Sequence, residues 1–244
     1  MDISIIIPAY KEKENLEVLL PKLVGVLSGL QVTFEILVID TMEKMDATED
    51  VCRLHQQVHY IPRENGNYYG DAIRTGIRKS TGAHVIIMDA DGSHEPRYIK
   101  DLLQYAGKHD VVIGSRYIKN GKTENNIILI FMSFMVNIMY RLFLNLKIKD
   151  VSNSFRLYNG IQLRSIDTIC DNFDLVEEIL IKLVLHYPGL TIKEVPIEFK
   201  KRLHGKSKRE LFKFVFSYLV TVRRLMQIKH SFRKNSKMGQ CASV

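Results

Sequence analysis

Five short runs of apolar and β-branched residues, Ile3–Ile7, Phe34–Ile39, Val58–Ile61, His84–Met88 and Val111–Ile113, alternate with helix-compatible stretches over roughly the first 115 residues. Residues 13–30 set Leu16, Leu19, Leu20, Leu23 and Leu27 on one helical face. Residues 69–79 and 95–106 also read as helices, the second with Pro96 in its first turn, where a missing N–H is tolerated. Such alternation leaves few topologies open. It predicts an α/β domain with a mostly parallel central sheet and helices on both faces. Ligands of open α/β sheets bind beyond the carboxyl ends of the strands, so those ends are where function is sought.

The fourth run, Val85-Ile86-Ile87-Met88, ends abruptly in Asp89-Ala90-Asp91-Gly92-Ser93-His94-Glu95-Pro96. Two carboxylates at i, i+2 on a strand end are hard oxygen ligands suited to Mg²⁺ or Mn²⁺, which share their shell with substrate phosphates. The same pair occurs in many solvated turns, so the motif alone leaves both readings open. His94 reads either as a further ligand or as a loop histidine bonded to backbone.

Beyond residue 115 the pattern changes. Residues 127–144 are almost wholly apolar, interrupted by Ser133, Asn137 and Arg141. That run is too broken for a good membrane-spanning helix, and reads equally as a buried core helix or as helices lying in a membrane interface. Residues 175–187 read as a helix, Leu190–Phe199 as a strand, and residues 209–230 as a basic amphipathic helix. The expected organisation is a main domain over 1–208 that includes apolar helices at 127–146, the helix at 209–230, and a basic tail over 231–244.

Charge is distributed unevenly. Phe199–Lys237 carries thirteen Lys/Arg against Glu210 alone, a local balance of +12 that leaves the rest of the chain at −4 within a total of +8. An anionic partner is expected there, and a membrane surface fits better than nucleic acid, because the segment has an apolar face and no nucleic-acid reading motif. Cys52, Cys170 and Cys241 show no metal spacing and cannot all pair, which suits a reducing compartment. The chain begins directly on a strand-like run without a signal-peptide pattern. Cys241-Ala242-Ser243-Val244 has the outline of a prenylation motif, with poor middle residues.

Several fragments fall in a recognisable order: Pro8-Ala9-Tyr10-Lys11-Glu12, Asp40, Asp46-Ala47-Thr48, Arg63 with Gly66, Gly70, Gly76 and Gly82, then Asp89-Ala90-Asp91 and Gly114-Ser115-Arg116-Tyr117. Asp150, Ser154-Phe155-Arg156, Glu178, Glu194-Val195-Pro196-Ile197 and Arg202-x-x-Gly205-x-Ser207-Lys208 follow. The set resembles family 2 of the inverting glycosyltransferases, with the GT-A nucleotide-sugar fold. Within it the chain is similar to the polyprenyl-phosphate sugar transferases of the dolichol-phosphate mannose synthase kind, over residues 3 to about 210. Departures are Thr41 where a second acid is usual, Ser93 where Gln is common, Glu124-Asn125-Asn126 in place of an arginine, and Asn153 opening the Ser-Phe-Arg element.

The resemblance implies transfer of a hexose, mannose or glucose, from a GDP- or UDP-sugar to a polyprenyl phosphate at the cytoplasmic face of a membrane. It implies Mg²⁺ or Mn²⁺ held by Asp89 and Asp91, and donor contacts from Pro8, Tyr10, Glu12, Asp40, Asp89, Ala90 and Asp91. Arg116, Arg202 and Lys208 are then the cations around the phosphates and, with Asp91, the catalytic set. A lipid phosphate is already an anionic nucleophile and needs positioning more than a base. A saccharide hydroxyl acceptor would need a carboxylate base. A non-catalytic membrane-binding module is the alternative outside enzymes, and a separate membrane-protein partner is compatible with any of these. Bland roles stand beside the sharp ones: Asp40 as a cap, the glycines as turn and packing positions, Asp150 as a structural acceptor paired with Arg156, and Glu178 paired with a core cation.

Overall fold

The computed structural model describes residues 1–124, 127–144, 147–204, 220–221 and 223–232. Its core is a seven-stranded sheet built from β1 (Ile3–Pro8), β2 (Phe34–Asp40), β3 (Val58–Pro62), β4 (His84–Ile87), β5 (Val111–Ser115), β7 (Arg156–Asn159) and β8 (Ile192–Pro196), in the order β3-β2-β1-β4-β7-β5-β8. All neighbours run parallel except β7, which is antiparallel to both β4 and β5. The five runs expected as strands are strands, within one or two residues at each end.

Helices cover both faces, so alternate side chains of one strand enter different cores, and the strands read as continuous apolar runs. Ile5 and Ile7 join Ile36, Val38 and Ile86 beneath α1 (Lys13–Ser28), α2 (Thr48–Cys52) and α4 (Ile99–Leu103). Ile6 joins Leu37, Val85 and Ile113 on the opposite face, under α3 (Tyr69–Lys79), α5 (Ile127–Leu144), α6 (Gly160–Arg164) and α7 (Leu175–His186). Chain order reverses between β1 and β4, which makes their carboxyl ends the crevice expected to hold ligands.

Two expectations need correction. The helix over 95–106 is shorter, a 3₁₀ turn at Pro96–Tyr98 leading into α4. Leu190–Phe199 is not one strand. Gly189, at φ +90°, turns the chain before β8, and the ladder with β5 ends at Pro196. Glu198–Phe199 (β9) then pairs with Lys122–Thr123 (β6) in a separate two-stranded sheet. The described part of the basic segment is helical, as expected. Residues 209–219 lie outside the described residues, but in the helical residues 223–232 Leu225 is fully buried and Ile228 packs on the same core cluster as α7. Phe232 meets the His186 ring at 4.8 Å, and Arg224 pairs with Asp174 at 3.4 Å. The apolar face of this portion is committed to the protein.

α5 is arranged the other way round. Asn137 Oδ1 accepts from the N–H groups of Val151 (2.8 Å) and Ser152 (3.1 Å), and Tyr140 is fully buried. Outward face Ile127 (81% exposed), Phe131 (63%), Phe134, Met135 and Leu142 (75%), a continuous stripe at helical spacing. No helix among the described residues is long and apolar enough to cross a membrane.

Candidate active site

The Asp-x-Asp loop leaves β4 at the crevice. Ala90 is buried in the α1-side core and anchors the loop between its two carboxylates. Asp89 Oδ1 accepts from Ser154 Oγ at 3.1 Å, and Asp91 Oδ1 from the Ser93 N–H at 3.0 Å. His94 supports the loop from below. Its Nδ1 accepts from the Asp89 N–H at 3.0 Å, so Nε2 carries the proton and donates to Asn153 Oδ1 at 3.1 Å. The ring stacks on Phe155 at 4.9 Å and meets Phe199 edge-on at 5.4 Å. Both nitrogens are thus engaged, and His94 is a backbone-holding histidine.

Asp89 and Asp91 bring two carboxylates, hard oxygen donors, to the same loop at the end of β4. Among the described residues no group of three or more His, Cys, Asp or Glu comes together as a metal cage. A two-carboxylate partial shell suits a cation that takes its other oxygens from water and substrate phosphates.

The chain crosses this loop again after β9. Lys200 N–H donates to Ser93 O (3.0 Å) and Leu203 N–H to Asp91 O (2.9 Å). Gly92 adopts φ +79°, a conformation that favours glycine, and a Cβ there would lie 2.5 Å from the Leu203 side chain, which would have to shift. Arg202 turns to the other side and donates from Nη2 to both Glu12 oxygens, at 3.1 and 3.3 Å. Burial pushes the Glu12 carboxyl above its ordinary range, with Asn15 and Arg202 opposing the shift and Asp91 adding to it.

At the neighbouring strand ends, Pro8 closes β1 and Lys11, at φ +55°, turns the chain so that Tyr10 is exposed and Glu12 points inward. Asp40 closes β2. Its Oδ2 accepts from Tyr60 OH at 3.4 Å, while Oδ1 is buried without a hydrogen bond among the described residues. Burial accordingly raises the Asp40 carboxyl and lifts the Tyr60 phenol to about 12. Asp40 does not cap α2; Asp46 Oδ1 accepts from the Thr48 N–H at 2.9 Å instead. Arg63 ties these ends together by donating to the carbonyls of Ala9, Asn67 and Tyr68.

Arg116 follows β5. It forms a two-pronged pair with Asp150, Nε to Oδ2 at 2.8 Å and Nη2 to Oδ1 at 2.7 Å, and Nη2 also reaches Ser152 Oγ (3.1 Å) and Ser133 Oγ on α5 (3.4 Å). Asp150 therefore pairs with Arg116, not Arg156. Arg156 is fully buried and donates to the carbonyls of Asn153, Val176 and Val151. Glu178 pairs with Lys182 at 2.8 Å and accepts from the Ile169 and Cys170 N–H groups, which is a structural role. Lys208 and Cys241 lie outside the described residues. Asn15 is not among the candidate residues of the sequence, and Asn153 and Ser154, part of the motif there, are given their contacts to His94 and Asp89 by the fold.

The sequence profile of glycosyl transferase family 2 matches residues 4–161. The chain is 31% identical over 233 residues to dolichol-phosphate mannosyltransferase of Pyrococcus furiosus, covering 93% of this chain and 64% of that protein, so it spans less than two thirds of that relative. It is 32% identical over 222 residues to undecaprenyl-phosphate mannosyltransferase of Micrococcus luteus, covering 85% and 87%. It is also 27% identical to the dolichol-phosphate mannosyltransferase of Saccharomyces cerevisiae, covering 94% and 88%. Among solved structures, glucosyl-3-phosphoglycerate synthase of Mycobacterium tuberculosis, in complex with Mn²⁺, uridine diphosphate and phosphoglyceric acid, shares the fold at a TM-score of 0.70 and 16% identity, covering 92% of this chain and 78% of that one.

Proposed function

Because the chain belongs to glycosyl transferase family 2, we propose that it transfers a hexose, mannose or glucose, from a nucleotide sugar to a polyprenyl phosphate with inversion, at the cytoplasmic face of a membrane. One observation carries this reading: Asp89 and Asp91 stand at the β1/β4 crevice, the 200–204 backbone bonds to their loop, and Arg202 on that segment pairs with Glu12. The relatives named for mannose transfer to dolichol and undecaprenyl phosphate support the sugar and the acceptor.

In this proposal Asp89 and Asp91 hold Mg²⁺ or Mn²⁺, which when bound neutralises charge growing on the departing diphosphate. Pro8, Tyr10, Glu12 and Asp40 take the nucleoside, with the unmatched Asp40 oxygen accepting a hydrogen bond from base or ribose. Ala90 fixes the spacing of the two carboxylates. Arg202 and Lys208 compensate the charge of two phosphate groups brought together, and Arg116 lies at the α5 side where an acceptor phosphate would enter. The acceptor oxygen is already anionic, so these residues orient it and exclude water rather than remove a proton.

The test uses purified protein, Mn²⁺, radiolabelled GDP-mannose or UDP-glucose, and polyprenyl phosphate in detergent. Label should move into the lipid-extractable fraction only when the polyprenyl phosphate is present. Water-soluble product formed without it would overturn the acceptor.

A lipid acceptor requires the site to rest on the headgroup layer, and the outward stripe of α5 is the apolar surface suited to it. Replacing Phe131 and Phe134 with serine is expected to weaken binding to anionic vesicles by roughly 30–1,000-fold, since each ring contributes on the order of 1–2 kcal/mol when partly inserted. Co-sedimentation at high salt isolates this term from charge attraction. Unchanged partitioning would remove α5 from the membrane.

A further inference from the structure

Asn15 lies in the first turn of α1 with only 3% of its surface exposed, where an apolar residue would be the ordinary choice. Its carboxamide is fully used. Oδ1 accepts from the His204 N–H at 2.9 Å, and Nδ2 donates to Glu12 Oε2 and, at 3.4 Å, to His204 O. The side chain thus pairs with a backbone unit 189 positions away, as a neighbouring strand would. Two residues earlier, Arg202 donates from Nε to the same His204 carbonyl at 2.7 Å and from Nη2 to Glu12. The other edge of the 200–204 segment is fixed to the carboxylate loop through Ser93 O and Asp91 O. Asn15, Glu12, Arg202 and the Asp91 loop therefore form one closed hydrogen-bonded circuit.

We propose that Asn15 is a positioning residue that holds Arg202 at the Asp-x-Asp loop by clamping the 200–204 segment onto α1. It rests on the transferase reading above and deepens it. An arginine side chain has many rotamers, and a free guanidinium beside Glu12 would fold onto that carboxylate in several ways. With His204 and Glu12 Oε2 both held by one buried amide, the guanidinium faces the crevice before the donor diphosphate arrives. Only an amide provides the acceptor for His204 N–H and the donor for Glu12 at once; aspartate keeps the first and loses the second.

The test compares Asn15→Leu, Asn15→Asp, Arg202→Ala and the double variant Asn15→Leu/Arg202→Ala. The readouts are kcat and KM for the sugar donor, calorimetric binding of GDP and UDP with Mn²⁺, and thermal melting. Asn15→Leu is expected to lower kcat/KM by roughly 10–100-fold, the scale for a misplaced charged group, and Asn15→Asp by less. In the Arg202→Ala background the same Leu substitution should cost under about 3-fold, because residues acting through one another are not additive. Equal losses in both backgrounds, or a wild-type Asn15→Leu, would overturn the proposal. If Asn15→Leu fails to fold, Asn15→Asp takes its place in the same cycle. Absence of GDP or UDP binding by the wild type would overturn the transferase reading, and this proposal with it. Nucleotide binding without lipid glycosylation would overturn the acceptor alone and leave the coupling measurable in binding.

Discussion

Asp91→Ala is expected to abolish sugar transfer while the protein melts as the wild type does. The side chain is outside both apolar clusters, and among the described residues its carboxylate accepts from the Ser93 N–H. The backbone bond from Leu203 N–H to Asp91 O survives substitution, so the crossing segment keeps its anchor. Losing one turn hydrogen bond at a partly exposed site costs about 1 kcal/mol or less. The loss in the transition state is far larger. Removing a preorganised stabiliser of developing charge costs about 3–4 kcal/mol, corresponding to a factor near 10³ in rate, and a metal ligand lies at or above that range. Asp91→Asn sharpens the test, because the amide oxygen can still accept from Ser93 while the charge is gone. Both variants should lose Mn²⁺-dependent nucleoside diphosphate binding by calorimetry. Full turnover by either would remove Asp91 from the metal role.

The residues that made this site legible are those with one job along the sequence. Strand runs such as Ile3–Ile7 and the leucines of α1 announce themselves because both sheet faces are buried. Asp89 and Asp91 stand out because they interrupt such a run. What stayed hidden depends on distant contacts. β7 opens with the buried Arg156, whose donors go to three backbone carbonyls, so no apolar alternation marks that strand. Its insertion between β4 and β5 is what brings Asn153 and Ser154 against His94 and Asp89. Asn15 looks like a helix-start asparagine, and only its pairing with His204 reveals the circuit. α5 turns Asn137 inward to the 150–152 loop while Ile127, Phe131, Phe134, Met135 and Leu142 face outward, an arrangement that hydropathy alone does not reveal.

Arg116→Met is expected to lower stability by about 3–5 kcal/mol, the scale for leaving a buried charge without its partner. Domains of this kind are stable by only about 5–15 kcal/mol, so denaturant midpoints should fall sharply. Asp150 is fully buried and accepts from the Arg116 backbone N–H, Nε and Nη2. Methionine preserves much of the stem packing against Tyr117 and Phe199 but leaves the carboxylate with the backbone donor alone among these three. The double variant Arg116→Met/Asp150→Leu should be more stable than Arg116→Met, since neither charge is then stranded. Activity separates the phosphate role expected from the sequence from the strut role seen in the pair with Asp150. If Arg116 serves only as the strut between β5, the 150–152 loop and α5, the double variant recovers turnover along with stability. If its guanidinium also meets the acceptor phosphate, stability returns while KM for polyprenyl phosphate stays high. Wild-type melting of Arg116→Met would show that the pair does not support the fold, and would return Arg116 to the phosphate role alone.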